Sequence, residues 1–341
     1  MALTDYSLLR GKIDDFHAER DDDESPHFQL FVKFNSRVIR CAINVKSKQH
    51  PSQLAFHLNR RFEHPITTDL DNANEGFTLL PPSSASGLDY IRSNLFHIED
   101  VVALPHDAPG QEDDLQDIML SLCQSAQSAH ADVFVFGEPF PNGMHNVHMN
   151  QGNSGQFASD NGIFQDGGML FHFPLTDHWT ALFLAFQTQA IHTDDRGNPR
   201  PGSPTLAEVI AGGDVEPIVE PVDPVVIERE SAVRIIAALV NPEGGENQPS
   251  HTGRPESVTL FNYSPDAIPL DNWLLQAKSG SRSLSGNTIA AGACLTIALG
   301  GNPPLGNKGG TISLLNHDGL KVHGVSYTKE QAQKEGWSIR F

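Results

Sequence analysis

The window "HNVHMNQGNSG", His145 to Gly155, gathers two histidines, several amide side chains, a serine and two glycines. A neutral imidazole such as His148 can serve as nucleophile or base near pH 7. Asn150, Gln151 and Asn153 offer donors and acceptors without charge, and Gly152 and Gly155 free backbone N–H groups, a set suited to phosphate oxygens or a substrate amide. The competing reading is a tight turn whose Asn and Gly residues cap the local backbone. His145 and His148 are three apart. The glycines that follow disfavour helix, so on a strand or tight loop the two imidazoles face opposite sides and do not converge on one metal. Asp160, Gln165 and Asp166 come next. Asp166 would orient a histidine or hold a cation, or else form an ordinary Asp-Gly turn into "GGMLFHFP". His172, flanked by apolar residues, reads as a satisfied core histidine.

These residues need a frame. "HFQLFVKF" and "RVIRCAINV" alternate about "NSR" as paired strands. "PSQLAFHLNRRF", with Ser52 as N-cap, and "SGLDYIRSNLF" have helical spacing. "EDDLQDIMLSLCQSAQSA" predicts a helix capped by Asp113 or Asp114, with a stripe of Leu115, Ile118, Met119 and Leu122. "DVFVFG" and "GGMLFHFP" read as strands and "HWTALFLAFQTQA" as a helix. Strands alternating with helices predict an α/β layered domain over residues 1–212. His106-Asp107 is a dyad or a turn, and "HTDD", His192 to Asp195, reads as a solvated helix end. Pro217, Pro221 and Pro224 among acids and valines give an extended linker at 213–230. Residues 231–341 hold short strand-like segments between Gly, Asn, Asp and Pro turns, the pattern of an all-β sandwich.

The net charge of −19 is segregated. Up to Pro224, 13 Lys and Arg stand against 32 Asp and Glu; beyond it the balance is 10 against 10. Long-range electrostatics would repel a polyanion, unless a local basic site reverses the field. Cys41, Cys123 and Cys294 sit among apolar neighbours without a CxxC spacing and read as buried free thiols. No apolar run suits a membrane span, and the N-terminus lacks a secretory signal pattern, so a cytoplasmic protein, or one exported without a signal peptide, is expected. Phosphate-binding-loop, dinucleotide, zincin and α/β-hydrolase motifs are absent.

"SPHFQLFV", "LDYIRSNLF", "LPHDAPG", "HNVHMNQGNSG" and "DNGIFQDGGMLFHFP" together resemble the YukJ-like family of uncharacterised proteins, which brings no activity with it. "QGNSG", "DNGIFQDGGMLFHF" and "TALFLAFQTQ" are similar, more weakly, to the end of a phospholipase D-like half. That resemblance implies paired histidines, here His27 in "HFQ" and His148 in "HMN", both without the family's lysine. It makes His148 nucleophile or base, His27 its counterpart and Asp166 the orienting acid. Asn150, Gln151, Asn153, Gln29, His145 and Gln165 would bind substrate, with the His27 and His148 rings on the order of 4–7 Å apart. "ESVTLFNYSPDAIPLDNWLLQ", "SGNTIAAGACLTIALG" and "LGNKGGTISLLNHDGLKVHGVSY" resemble the lamin-tail domain, an immunoglobulin-like sandwich, implying adhesion to a protein, a cell-surface component or nucleic acid. The resulting expectation is a phosphodiesterase or nuclease-like hydrolase with a degenerate site. The alternatives are a non-catalytic binding or structural protein and a metal-dependent hydrolase. No cofactor is expected beyond a divalent cation on the acid-rich surface.

Overall fold

A computed structural model describes residues 7–20, 26–80, 95–97, 100–111, 113–140, 143–145, 167–191, 201–211, 232–244 and 254–341. The chain divides into two compact units. One comprises Met1–Glu63, Thr67–Arg92 and Phe96–Glu216; the other comprises His64–Ile66, Ser93–Leu95 and Pro217–Phe341. The predicted linker at 213–230 lies outside the described residues.

The first unit is built from strands, not from alternating strands and helices. They are β1 (Ser7–Ala18), β2 (His27–Phe34), β3 (Arg37–Asn44), β4 (Leu54–Asn59), β5 (Gly76–Leu79), β6 (Val102–Ala103), β7 (Asp132–Phe140), β8 (Gly143–His145), β9 (Gly167–Phe173) and β10 (His178–Phe186). Helices α1 (Ile66–Asp71), α2 (Leu115–Ser128) and α3 (Leu206–Ile210) accompany them.

Two expected helices are strands, which removes the α/β architecture and the closing helix that a phospholipase D-like half requires. "PSQLAFHLNRRF" contains β4, and "HWTALFLAFQTQA" contains β10, which pairs with β4 on one side and β9 on the other. From Trp179 to Phe186 β10 is buried on both faces, so its apolar run carries no period to separate strand from helix. Consequently "HTDD" does not follow a helix, and it lies outside the described residues, as does most of "SGLDYIRSNLF". The β2–β3 hairpin, β7 and β9 form where alternation and apolar runs predict them.

Five of these strands close on themselves. β1 pairs with β2, β2 with β3, β3 with β8 in parallel, β8 with β7, and β7 back to β1. The first half of β1 bonds β7 and β5 and its second half bonds β2, with a bulge between Ile13 and Asp15 in the β1–β2 ladder. Two glycines permit the close approaches. A Cβ at Gly11 would stand 2.6 Å from the Lys33 carbonyl oxygen, and one at Gly143 would stand 2.5 Å from that of Arg40.

The barrel interior is filled by Leu9, Ile13, Phe28, Leu30, Val32, Ile39, Cys41, Ile43, Val133, Val135 and Met144. The buried stripe of α2, Leu115, Met119, Leu122, Cys123 and Ala126, joins the same core. Cys41 and Cys123 are buried free thiols, as expected, and burial pushes both thiols up. Cys294 departs from expectation: it is exposed. Outside the barrel, the sheet continues from β7 through β9, β10, β4 and β6.

The second unit is all-β, with strands β11 (Val233–Leu239), β12 (Ser257–Asn262), β13 (Ile268–Pro269), β14 (Leu274–Ala277), β15 (Gly280–Ser283), β16 (Thr288–Ile289), β17 (Cys294–Ala298), β18 (Gly309–Leu315), β19 (Lys321–Thr328) and β20 (Ile339–Arg340), plus α4 (Lys329–Ala332). Two four-stranded antiparallel sheets, β17-β12-β11-β20 and β15-β14-β18-β19, contribute to one apolar core around Trp273, Leu260, Leu275, Leu314 and Tyr327. Among the described residues, no helix is long and apolar enough to cross a membrane.

Candidate functional site

Alternation sorts the β2–β3 hairpin into two sides. Phe28, Leu30, Val32, Ile39, Cys41 and Ile43 point into the barrel core. His27, Gln29, Phe31 and Lys33 on β2, with Val38, Arg40, Ala42 and Asn44 on β3, therefore take the outward side. Their register pairs them directly: His27 with Asn44, Gln29 with Ala42, Phe31 with Arg40 and Lys33 with Val38. β1 adds His17 beside Gln29 and Asp15 beside Phe31.

A chain of hydrogen bonds crosses this side. The His27 backbone N–H donates to Glu19 Oε2 at 3.1 Å, and the His27 Nδ1 lies 3.6 Å from the same oxygen. Gln29 Nε2 donates to Glu19 Oε1 at 2.5 Å, while Arg40 Nε donates to Gln29 Oε1 at 2.8 Å. Gln29 is therefore buried with both ends of its amide engaged. Asn44 and Ala42 are also buried, so the outward side is covered toward the His27 end. Toward the hairpin turn it is open: Val38 is 46% exposed, Lys33 and Arg40 are exposed, and Phe31 is half-buried and stacked on His17 with ring centroids 5.9 Å apart.

Of the residues expected at a site, His27 and Gln29 thus lie together on one outward side. His145 ends β8 level with Ala42, two strands across from Gln29 in the same cross-strand row. The chain enters the polar window from there. His148, Asn150, Gln151, Asn153, Gln165 and Asp166 lie outside the described residues, as does Asp160.

Other candidates have structural duties. His172 stacks on Trp179 at 4.6 Å, with Nδ1 3.1 Å from Asp71 and Nε2 3.1 Å from Asp177, a half-buried, satisfied histidine. Asp107 accepts from Arg20 rather than completing a dyad with His106. Asp113, Asp114 and Asp117 cluster closely enough to suggest a cation, but Arg20 already donates to Asp114 at 2.9 Å and Asp117 at 2.5 Å. Asp114 also caps α2, accepting the Asp117 N–H, and takes the Ala108 N–H as well. Burial alone would raise the Asp114 carboxyl, yet the two backbone donors and Arg20 hold it below its usual value. Partial burial works against the Arg20 charge, and Asp114 and Asp107 outweigh it, raising the guanidinium. The guanidinium supplies the charge a metal would.

Glu19, Phe31, Arg40 and Asn44 were not singled out from sequence types and spacing. A signal was present: from Ser25 to Phe62 the chain carries seven Lys and Arg (Lys33, Arg37, Arg40, Lys46, Lys48, Arg60 and Arg61) and no acid.

A family model described as "Uncharacterized conserved protein (DUF2278)" matches residues 1–198. The chain belongs to the DUF2278 family. Within it, the chain is similar to "Uncharacterized protein YukJ" of Bacillus subtilis (strain 168), 37% identical over 217 residues, covering 58% of this chain and 95% of that protein. The DUF2278 match takes in the whole barrel and the strands that extend its sheet. Neither description assigns an activity.

Proposed function

We propose that the DUF2278 barrel is a binding module that takes an extended polar oligomer across the outward side of β2 and β3. The observation that carries this reading is the closed β1-β2-β3-β8-β7 ring, with β3 and β8 parallel and the hairpin's outward side open near its turn. Small five-stranded Greek-key barrels use the face of their second and third strands, with adjoining loops, to hold oligonucleotides and oligosaccharides. That support is a fold-level analogy, and the residues on the face give it chemical content. Arg40, Phe31 and His17 supply planar polar and aromatic groups, the latter two already stacked, and buried Gln29 holds Arg40 in place. The test is hydrogen–deuterium exchange on the full chain with a panel of oligonucleotides and neutral oligosaccharides. Protection concentrated in residues 27–44 supports the reading, and protection confined to other segments overturns it.

The hydrolase reading keeps one specific observation. Glu19 accepts the His27 backbone N–H and stands 3.6 Å from its Nδ1, where a carboxylate can orient an imidazole for acid–base catalysis, and the strand leading to His148 ends in the row of Gln29. If it is right, His27→Ala and His148→Ala each abolish cleavage of a generic phosphodiester such as bis(4-nitrophenyl) phosphate. Equal background rates in wild type and both variants sink it.

For the second unit we propose attachment to a partner. The outward side of β12 carries Thr259 and Phe261, with Tyr263 beyond the strand end. Tyr263 is exposed and packs edge-on against Phe261 at 4.4 Å.

A further inference from the structure

We propose that the ligand of the β2–β3 face is a single-stranded nucleic acid, an inference that rests on the binding-face reading above. Four neighbouring side chains carry it. Phe31 pairs with Arg40 and Lys33 with Val38, so Lys33 and Arg40 stand diagonally on one side of the hairpin. Diagonal neighbours are roughly 7–8 Å apart, a gap that two successive phosphates of an extended strand can span. Arg40 commits only its Nε–H, to Gln29, and forms no ion pair among the described residues. Lys33 reaches one carboxylate, Asp14, at 4.0 Å. Both cations are exposed and neighbour a half-buried aromatic ring, Arg40 across the ladder and Lys33 two residues along the strand.

This is the pairing a single strand requires: cations that follow the phosphates, and an aromatic surface for the bases. An acidic peptide would use the cations but leave the Phe31–His17 stack without a purpose. A duplex hides its base faces. Exposed Lys48 follows beyond the end of β3, and no acid intervenes in sequence between Ser25 and Phe62. Asp14 and Asp15 on β1 mark the opposite flank, since Asp15 pairs with Phe31 from that side. Repulsion there directs the strand toward β3.

The experiment uses the full chain and fluorescein-labelled 15-mers, single-stranded DNA and RNA beside the matching duplex, in an anisotropy titration across a KCl series. Two neutralised phosphates give a log–log salt slope of roughly −1.4 for a single strand. Single strands should bind more tightly than the duplex, Phe31→Ala should weaken binding between about fivefold and a hundredfold, and Lys33→Glu/Arg40→Glu should remove the salt dependence. Lys33→Glu alone, at an exposed position with no packing duty, guards against a folding artefact in the double variant and should flatten the slope by about half. Affinity unchanged in both charge variants overturns the inference, as does a duplex bound as tightly as the single strand. Binding of a neutral oligosaccharide that Phe31→Ala abolishes, with no oligonucleotide binding, overturns the nucleic-acid assignment while leaving the binding face standing. No ligand-dependent exchange protection in 27–44 with either class overturns both.

Discussion

Replacing Gly11 with alanine tests the close approach of β1 to β2, on which the binding face depends. In an ordinary strand this change stabilises a protein by about 0.4–1 kcal/mol, because alanine restricts the unfolded chain. Here the new methyl would sit 2.6 Å from the Lys33 carbonyl oxygen and 2.6 Å from Val32 Cγ1. The oxygen belongs to the β2 backbone, tied on its other side to β3, so it cannot rotate away. β1 must shift by several tenths of an ångström, and overpacking of this kind costs about 1–3 kcal/mol. Distorting a ladder hydrogen bond adds about 1 kcal/mol. The net expectation is a loss of about 2 kcal/mol, which for a unit of this size lowers the melting temperature by about 4–8 °C. Amide exchange should accelerate in β1 and β2 together. Gly280→Ala is the control, because its Cβ would meet nothing closer than 3.6 Å, and its effect should stay within about 0.5 kcal/mol. If Gly11→Ala is neutral or stabilising, β1 does not approach β2 as closely as this packing requires.

Asp114→Ala should cost about 2–3 kcal/mol by urea denaturation, because it removes the α2 cap and the charge-assisted bond from Arg20. Asp114→Asn keeps the cap and should recover about 1 kcal/mol of that loss. Asn262→Ala should cost about 3 kcal/mol in melts followed by the fluorescence of buried Trp273, since the Asn262 amide donates to the Asp266, Ile289 and Ala290 carbonyls and accepts from Ser264. Asp132 resembles Asp114 in charge balance: burial raises it, but Lys12 at 2.6 Å and Arg10 at 2.9 Å bring it below the ordinary value. For both carboxyls the folded pKa is the lower one. Their stabilisation is therefore full above the unfolded value near about pH 4 and is lost as pH falls through the folded values. Asp132→Asn should make urea midpoints of the first unit less sensitive to pH between 6 and 3; an unchanged pH profile would contradict the assignment.

What could be read beforehand depended on how local the physics is. The β2–β3 hairpin announces itself by alternation, and α2 by an aspartate cap and an apolar stripe one turn apart. β10 lies inside a wide sheet, where burial on two faces erases the period that distinguishes strand from helix, and β4, buried from Leu54 to Phe56 and half-buried beyond, is too short for its period to decide. Ring closure leaves no local pattern at all: Arg40 and Gly143 are far apart in sequence and meet only through the parallel β3–β8 register. In the second unit, residues of the quoted stretches have visible duties. Asn262 satisfies three carbonyls, Asn316 Oδ1 accepts the Asp318 and Leu320 N–H groups across a turn, and Trp273 is buried in the core. At the candidate site, His27 and Gln29 were legible as hydrogen-bonding residues opening a strand. Glu19 and Arg40 were not, because their link to Gln29 exists only once β1, β2 and β3 are in register.

The charge argument changes most when the fold is known. A net charge of −19 confined to the first two-thirds of the chain opposes nucleic acid only if its field reaches the ligand. At physiological ionic strength the screening length is about 8 Å, less than the width of two strands. The acids around Arg20 and on α2 are already engaged with that guanidinium or with backbone N–H groups. Among the described residues, Asp14 and Asp15 lie on one flank of the hairpin, and Glu19, at its His27 end, is engaged with His27 and Gln29. The same segregation that repels a polyanion from the rest of the unit leaves the acid-free stretch from Ser25 to Phe62 as the surface it can approach. Raising the salt should then weaken binding at that face and at no other, so neutralising Asp14 and Asp15 together should tighten it. A double Asp14→Asn/Asp15→Asn variant with unchanged affinity at low salt would mean that the ligand does not lie against Phe31.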